Sequence, residues 1–367
     1  MTKITWAAAA LAATPFFAIA DEIRATSGFG PSHVLATSVY PTAFEKLEEL
    51  TDGEWTGRDT AGGLLAPNEM NDGLRDGVTE LGAVILPYFA ADYVESMVPG
   101  ELSILGTNNM AISAAVTEYV VTCAECQAEF AESGQVYLGG DTTPTYNFLS
   151  TVPLNTLDDL KGKRIRTAGA VFTRFVEALG AEPVQMPSSE LFEALNSGVI
   201  DATYSSIPDL KNAQLYDVVK SVSLIELGVF NAAATMNASQ LLWMRMDDEE
   251  REALAHAAQY GQSVGVVSWS DTEKEAKVTG AEKGIEFVTP SDELLAKARE
   301  FNETHLATVA ETLEGRGVKD AAAKVERYKA LVEKWHGLVT EDTTAEELAE
   351  LRWTEIFSKI DYSSYGM

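Results

Sequence analysis

The sequence predicts a two-lobed α/β protein whose lobes are joined through secondary structure. Three observations carry this reading. Strand-like and helix-like segments alternate as β-α-β-α-β near the N-terminus, the order of a largely parallel sheet. The same alternation restarts near residue 160. From about residue 247 onward the apolar spacing is helical only. The 367 residues exceed what one hydrophobic core organises, and 46% of them are apolar, enough to fill two. No internal repeat, low-complexity tract or Pro/Ser-rich linker separates the halves. Residues 21–145 are therefore expected to form lobe 1, with part of the C-terminal helical region, and 146–235 the core of lobe 2. Residues 236–367 should supply a long spanning helix and helices packing on both lobes.

The opening segment, MTKITWAAAALAATPFFAIA, pairs a basic Lys3 with an apolar run and a small-x-small site at Ala18-Ile19-Ala20. It reads as a cleaved export signal at residues 1–20, leaving a mature chain from Asp21 in a bacterial-type periplasm. The alternative is an uncleaved anchor, but the apolar run is short for a membrane span and no second candidate follows.

The elements follow in order. Glu22–Gly28 alternates as a first strand. Val39–Thr51 places Phe44, Leu47 and Leu50 on one helical face. Glu54–Asp59 is a short strand. Asn68–Val78 is a helix that Asn68 should cap. Ala83–Leu86 is a continuous apolar strand ending at Pro87. Met110–Ser133 reads as one long helix, followed by strands at Gln135–Leu138 and Tyr146–Thr151. The second lobe continues with strand Arg164–Thr167, helix Val171–Leu179 and strand Pro183–Gln185. A helix then begins at Ser188, and Val199–Tyr204 is the next strand. Ala233–Met236 should return as a strand to one of the sheets. Asp247–Lys277 is a long helix. In helix Lys324–Leu338, Val325, Tyr328, Val332 and Trp335 form a stripe read as core packing. Ala345–Lys359 closes the chain as a helix.

Charge and composition exclude several functions. The formal charge of −29 makes the chain repel nucleic acid and anionic membrane surfaces, and it should be soluble and monomeric. An anionic ligand would need a local positive site working against that field. Cys123 and Cys126, in TCAECQ, lie one helical turn apart. They could form a local disulfide in an oxidising compartment or pack as two thiols. A redox pair is disfavoured by Glu125, which opposes thiolate formation, and a zinc site lacks its other two ligands. No G-x-S-x-G, H-E-x-x-H or phosphate-loop motif occurs, and no cofactor or metal is expected. GFGPSH at 28–33 lacks the third glycine of a dinucleotide fingerprint. Of the four histidines, His256, His305 and His336 lie in polar helices and should be solvated. His33 follows the first strand, where lobes of this type present ligand loops.

The most informative stretch runs from Leu157 to Asp217: LDDLKGKRIRTAGAVFTRFVEALGAEPVQMPSSELFEALNSGVIDATYSSIPDLKNAQLYD. It resembles the second-lobe core of the solute-binding proteins of tripartite ATP-independent periplasmic (TRAP) transporters, the dicarboxylate-binding, DctP-like family. DLKG followed by a basic-apolar-Arg strand, a helix ending ALGA, P-V-x-MP, and E-x-x-x-AL-x-x-G-V-I-D all occur in order. The final aromatic-x-acid-V element departs, reading Tyr216-Asp217-Val218 with no intervening residue. The resemblance extends more loosely over the mature chain.

That resemblance implies a two-lobe periplasmic-binding-protein fold, type II-like, with a binding rather than a catalytic function. It implies that Arg166, the arginine of the Ile-Arg pair, points into the interlobe cleft and pairs with an anionic group of the ligand. A planar guanidinium suits that task because it gives a carboxylate two parallel charge-assisted hydrogen bonds. A sulfonate would also fit, and the competing reading pairs Arg166 with a protein carboxylate. Lys161, Lys163 and Arg164 belong to the exposed turn. Where some members carry a second arginine, this chain has Tyr146. Tyr204 and Ser205 stand where others place acidic or amide groups, and Ile85 near where others place an acid. The cleft is thus expected to be poor in charge and rich in aromatics, with Phe29, Tyr88, Tyr146 and Tyr204. His33 and Asn231 are further candidates, and each aromatic has ordinary packing as its alternative. The expected ligand is a small organic anion: a dicarboxylate, a hydroxy or keto acid, an aromatic acid or a sulfonate such as dihydroxypropanesulfonate. The implied partners are the small and large TRAP membrane subunits, which would drive uptake by an ion gradient. A sensor component, or a periplasmic enzyme on the same scaffold, is the alternative function.

Overall fold

The computed structural model describes residues 20–340 and 342–367, so the predicted export signal lies, except for Ala20, outside the described residues. Strands β1 (Asp21–Thr26), β2 (Trp55–Asp59), β3 (Leu81–Ile85) and β4 (Gln135–Tyr137) belong to one sheet. Strands β5 (Tyr146–Ser150), β6 (Arg164–Thr167), β7 (Glu182–Gln185), β8 (Ala202–Ser206) and β9 (Ser221–Ser223) belong to a second. The chain then returns to the first sheet as β10 (Ala233–Ser239) and adds β11 (Glu286–Val288) to the edge of the second. The first sheet has the order β2-β1-β3-β10-β4, with β1 parallel to β2 and β3 and β10 antiparallel to β3 and β4. The second has the order β11-β9-β5-β8-β6-β7. Its β6 is parallel to both neighbours, while β5 runs antiparallel to β8 and β9. Parallel strands need helical crossovers that cover the sheet faces, so β3 and β8 are buried along their whole length.

The two lobes share their chain at a narrow waist. There the segments around Thr143 and Phe230 run antiparallel and bond to each other. Thr145 bridges Val229, the Tyr146 N–H donates to the Gly228 carbonyl at 3.0 Å, and the Thr143 N–H donates to the Phe230 carbonyl at 3.1 Å. A helix from Asp248 to Glu282 spans both lobes. It is started by a reciprocal cap between Asp247 and Glu250. Near its middle it lies directly on the first lobe. A Cβ on Gly261 would stand 2.5 Å from the Val39 carbonyl oxygen and 2.7 Å from the Ala43 Cβ. At its far end Ala276 enters the second lobe's core, and a Cβ on Gly280 would meet the Phe287 ring of β11 at 3.1 Å. The helices Asp292–Glu314, Ala321–Leu338 and Ala345–Glu355 complete the chain. Val325, Tyr328, Val332 and Trp335 are buried in the core of the first lobe. Among the described residues no helix is long and apolar enough to cross a membrane.

Local chemistry explains where the elements depart from expectation. The helix expected over Met110–Ser133 is two, Asn109–Val121 and Ala124–Glu132. Cys123 interrupts them in an extended conformation and caps the second, its sulfur accepting from the Cys126 N–H at 3.1 Å. Cys123 and Cys126 are joined in a disulfide. Asn68 caps nothing. The helix there is Met70–Arg75, and the Glu69 carboxylate instead accepts from the Ala66 N–H. The helix expected from Ser188 begins with a 3₁₀ turn, Ser188–Glu190, before Leu191–Asn196. Strand β8 starts later than Val199 because Gly198, at φ +70°, turns the chain first. His305 is buried rather than solvated, its Nε2 2.7 Å from the Glu101 carbonyl oxygen.

The contact at Gly261 leaves no room there for a side chain on the spanning helix. Replacing Gly261 by Val should destabilise the fold by about 2–3 kcal/mol, the usual cost of overpacking. The shift in urea midpoint at unchanged slope measures it.

Candidate functional site

Strand β6 lies between β8 and β7, with Arg166 paired to Thr203 on one side and Val184 on the other. This position drives the side chain of Arg166 inward, and it is only 2% exposed. Its Nε donates to the Met186 carbonyl at 3.0 Å and its Nη2 to the Tyr88 hydroxyl at 3.3 Å. Nη1 has no partner among the described residues, and no described carboxylate lies within ion-pair distance of the guanidinium. The neighbouring basic residues are spent differently. Arg164, half-exposed at the strand's start, pairs with Asp201, and Lys161 pairs with Asp158 on the surface.

Tyr88 comes from the other lobe, in the turn after β3. Its hydroxyl oxygen also accepts from the Ser188 N–H at 3.1 Å, so one phenol receives two donors from the second lobe. Arg166 and Tyr88 line a cavity of about 70 Å³ between the lobes, also walled by Phe29, His33, Tyr146 and Phe230. That volume would take on the order of five water-sized groups. A wider mouth of about 510 Å³ adjoins it and shares Phe29, His33, Ser188 and Asp209.

The aromatic walls are built from the chain ends nearest the cleft. Gly28, at φ +80°, turns the chain sharply after β1 and delivers Phe29 and His33. Those two rings stack at 4.1 Å, and the edge of His33 meets Trp269 of the long helix at 5.2 Å. The Leu35 N–H donates to His33 Nδ1 at 3.2 Å. An accepting Nδ1 places the proton of the neutral ring on Nε2. Burial holds the ring neutral by pushing its pKa down to about 3. Tyr146 lies at 6.1 Å from Phe230, near-parallel to it, and at 4.9 Å from Phe172, inclined by 28°.

Two carboxylates also line the cavity. Asp141 sits on the waist segment after Gly139-Gly140 and accepts from the Trp269 indole N–H at 3.0 Å. Burial pushes its pKa up to about 6, against the pull of that N–H and of Arg352. Arg352 stands behind the cavity wall, its Nη2 3.1 Å from the Gly140 carbonyl oxygen. Asp209 opens the turn after Pro208 and accepts from the Ser205 hydroxyl. Burial raises its pKa, with Ser205 and Arg166 acting in the opposite sense.

Of the residues singled out in the sequence, Arg166, Tyr88, Tyr146, Phe29 and His33 come together around this cavity. Tyr204, Ser205 and Asn231 do not line it. Tyr204 turns into the second lobe's aromatic core among Phe148, Phe172 and Phe175, with its hydroxyl donating to the Leu227 carbonyl at 2.8 Å. Ser205, on the opposite face of β8, acts behind the wall by holding Asp209. Asn231 is tied to Ser103, Pro99 and Tyr328 in a buried network of the first lobe. Sequence reasoning passed over Asp141, Asp209, Phe230 and Trp269. Only Asp141 carried a local signal: its Gly-Gly prefix lets the waist pass so close to β10 that a Cβ on Gly140 would stand 2.2 Å from the Ala233 carbonyl oxygen.

A solved TRAP solute-binding protein from Rhodoferax ferrireducens T118, with copurified benzoate, superposes at a TM-score of 0.78. That match covers 87% of this chain and 100% of the other, at 18% identity, a level that speaks to the fold. A marine metagenome TRAP solute-binding protein specific for aromatic acid ligands superposes at 0.76, with 20% identity over 86% of this chain and 99% of the other. In sequence, a solute-binding protein of Sulfitobacter sp. (strain NAS-14.1) is 28% identical over 229 residues, 59% of this chain and 66% of that protein. The sialic acid-binding periplasmic protein SiaP of Vibrio cholerae is 26% identical over 111 residues, 30% of this chain and 34% of its own length. The chain thus matches between about a third and two thirds of the length of these two relatives. The relatives are ligand-binding components and not enzymes. The model of the bacterial extracellular solute-binding proteins, family 7 (DctP), matches residues 38–312, and the chain belongs to that family, the TRAP solute-binding proteins.

Proposed function

We propose that this chain captures a small organic carboxylate in the interlobe cavity and hands it to small and large TRAP membrane subunits for ion-gradient-driven uptake from the periplasm. The observation that carries the reading is Arg166: a guanidinium buried in an interlobe cavity with, among the described residues, no carboxylate in ion-pair reach and no partner on one nitrogen. A buried cation without a counter-ion is costly, and an incoming carboxylate removes that cost while forming charge-assisted bonds in a low-dielectric site.

Closure follows from which lobe each group belongs to. Arg166 and Ser188 come from the second lobe, Tyr88 and Phe29 from the first. A ligand on Arg166 completes the polar network at the Tyr88 hydroxyl and buries itself against both lobes. Ligand affinity is therefore higher for the closed arrangement, and that difference drives the population toward it. The closed form is the one the membrane subunits would recognise.

A thermal-shift screen against small organic carboxylates tests the proposal. A true ligand at a hundredfold excess over its Kd should add about 2.7 kcal/mol of stability. In calorimetry with that ligand, Arg166→Ala should lose on the order of 100-fold or more in affinity, the scale for removing one partner of a buried charged pair. Arg166→Lys should recover little of it, because an ammonium cannot present the planar fork. An unchanged Kd in Arg166→Ala would remove the proposed site. Tyr88→Phe deletes the acceptor of two interlobe hydrogen bonds. It should weaken binding by about tenfold, roughly 1.4 kcal/mol, and raise the radius of gyration of the liganded protein in small-angle scattering.

A further inference from the structure

The cavity presents more than one unpartnered charge. Arg166 offers a free Nη1, as above. Asp141 is 5% exposed, and only its Oδ2 is bonded, to Trp269. Its Oδ1 takes no hydrogen bond from another described residue. Asp209 is bonded through Oδ2 to Ser205, and its Oδ1 likewise takes none. One cationic donor and two anionic acceptors therefore face the same small space.

Charge balance decides what such a space can hold. The lining carries one guanidinium and two carboxylates, and Arg352 directly behind the wall supplies a second guanidinium. Together they are neutral with both carboxylates ionised. A plain monocarboxylate pairs with Arg166 yet leaves this enclosure with one net negative charge, and a dicarboxylate with two, beside carboxylates that each keep one oxygen without a donor. Buried charge without a partner is strongly unfavourable. A ligand carrying both signs adds no net charge and satisfies both ends.

We propose that the ligand is a small zwitterion, a monocarboxylate held by Arg166 that carries a protonated nitrogen received by Asp141 and Asp209. This rests on the reading of Arg166 as a carboxylate anchor and narrows it. The aromatic walls at Phe29 and His33 and at Tyr146 and Phe230 add flat apolar surface between the two ends, which suits a compact carbon skeleton. Neutral His33, with its proton on Nε2, leaves Asp141 and Asp209 as the cavity's only anionic acceptors among the described residues.

The test uses skeleton-matched probes on the mature chain by calorimetry. Carbon skeletons of three to six carbons are each offered as the plain monocarboxylate, the ammonium carboxylate, the neutral amide-bearing carboxylate and the dicarboxylate. Butanoate, 4-aminobutanoate, succinamate and succinate form one such set. The expected result is tightest binding by an ammonium carboxylate, at least tenfold over its three matched forms. In the variants Asp209→Asn and Asp141→Asn, its affinity should fall at least tenfold, while that of the matched plain monocarboxylate holds or rises. A plain monocarboxylate, a neutral amide or a dicarboxylate binding as tightly as the ammonium form overturns the zwitterion and leaves the Arg166 anchor standing. A preference unchanged in both Asp variants also overturns it. Should a variant fail to fold, the comparison of matched forms on the unaltered chain decides alone. If no carboxylate of any form binds, both this inference and the anchor reading fall.

Discussion

The molecule is organised around a guanidinium that is held out of water and, among the described residues, given no ion-paired carboxylate of its own. Desolvating such a group is expensive, and the usual compensation is an adjacent acid. Here the compensation is partial: a backbone carbonyl from the end of β7 and a phenol from the other lobe. The rest of the architecture keeps it partial. The two flanking strands of the second sheet fix the backbone of Arg166 so that it cannot swing out, while Arg164, two residues earlier, reaches Asp201 at the rim. The same strand thus carries one arginine whose charge is settled and one whose charge is left open.

That local arrangement works against the molecule as a whole. A chain of net charge −29 repels anions at long range. Screening limits the repulsion to about a Debye length, roughly 8 Å at physiological ionic strength, so the cavity's own groups govern the last step of entry. Whatever binds must be recognised at contact rather than gathered from a distance. Such a site gains selectivity from the placement of individual donors and acceptors and little from the overall field.

Much of the fold was legible because apolar periodicity reports burial directly. The alternation of strands and helices, the spanning helix and the Trp335 stripe all follow from it. Arg166 was legible through the resemblance of its Ile-Arg strand, after DLKG, to the family's pattern. Interruptions were harder to see. Cys123 breaks a helix whose flanks are both good helix formers, and only its extended backbone and sulfur cap distinguish it. Tyr204 and Ser205 show how neighbouring residues of a strand divide between the aromatic core and the support behind the cavity wall, and nothing in DATYSS says which face is which. Asp141, Asp209, Phe230 and Trp269 come from four separate segments that meet only after both lobes have formed. One carboxylate among 56 acidic residues carries no mark of that meeting.

The helix from Asp248 to Glu282 is seated in the first lobe at Gly261 and in the second at Ala276 and Gly280. A continuous rod clamped at both ends behaves like a leaf spring. The lobes cannot swing apart freely about the waist, because any rotation must flex the rod or shear one of its seats. Trp269 lies between the clamps and bonds to Asp141, so that elastic element is wired to the cavity floor. Opening and closing should accordingly be a restrained motion with a preferred path, stiffer than two peptide crossings alone would allow.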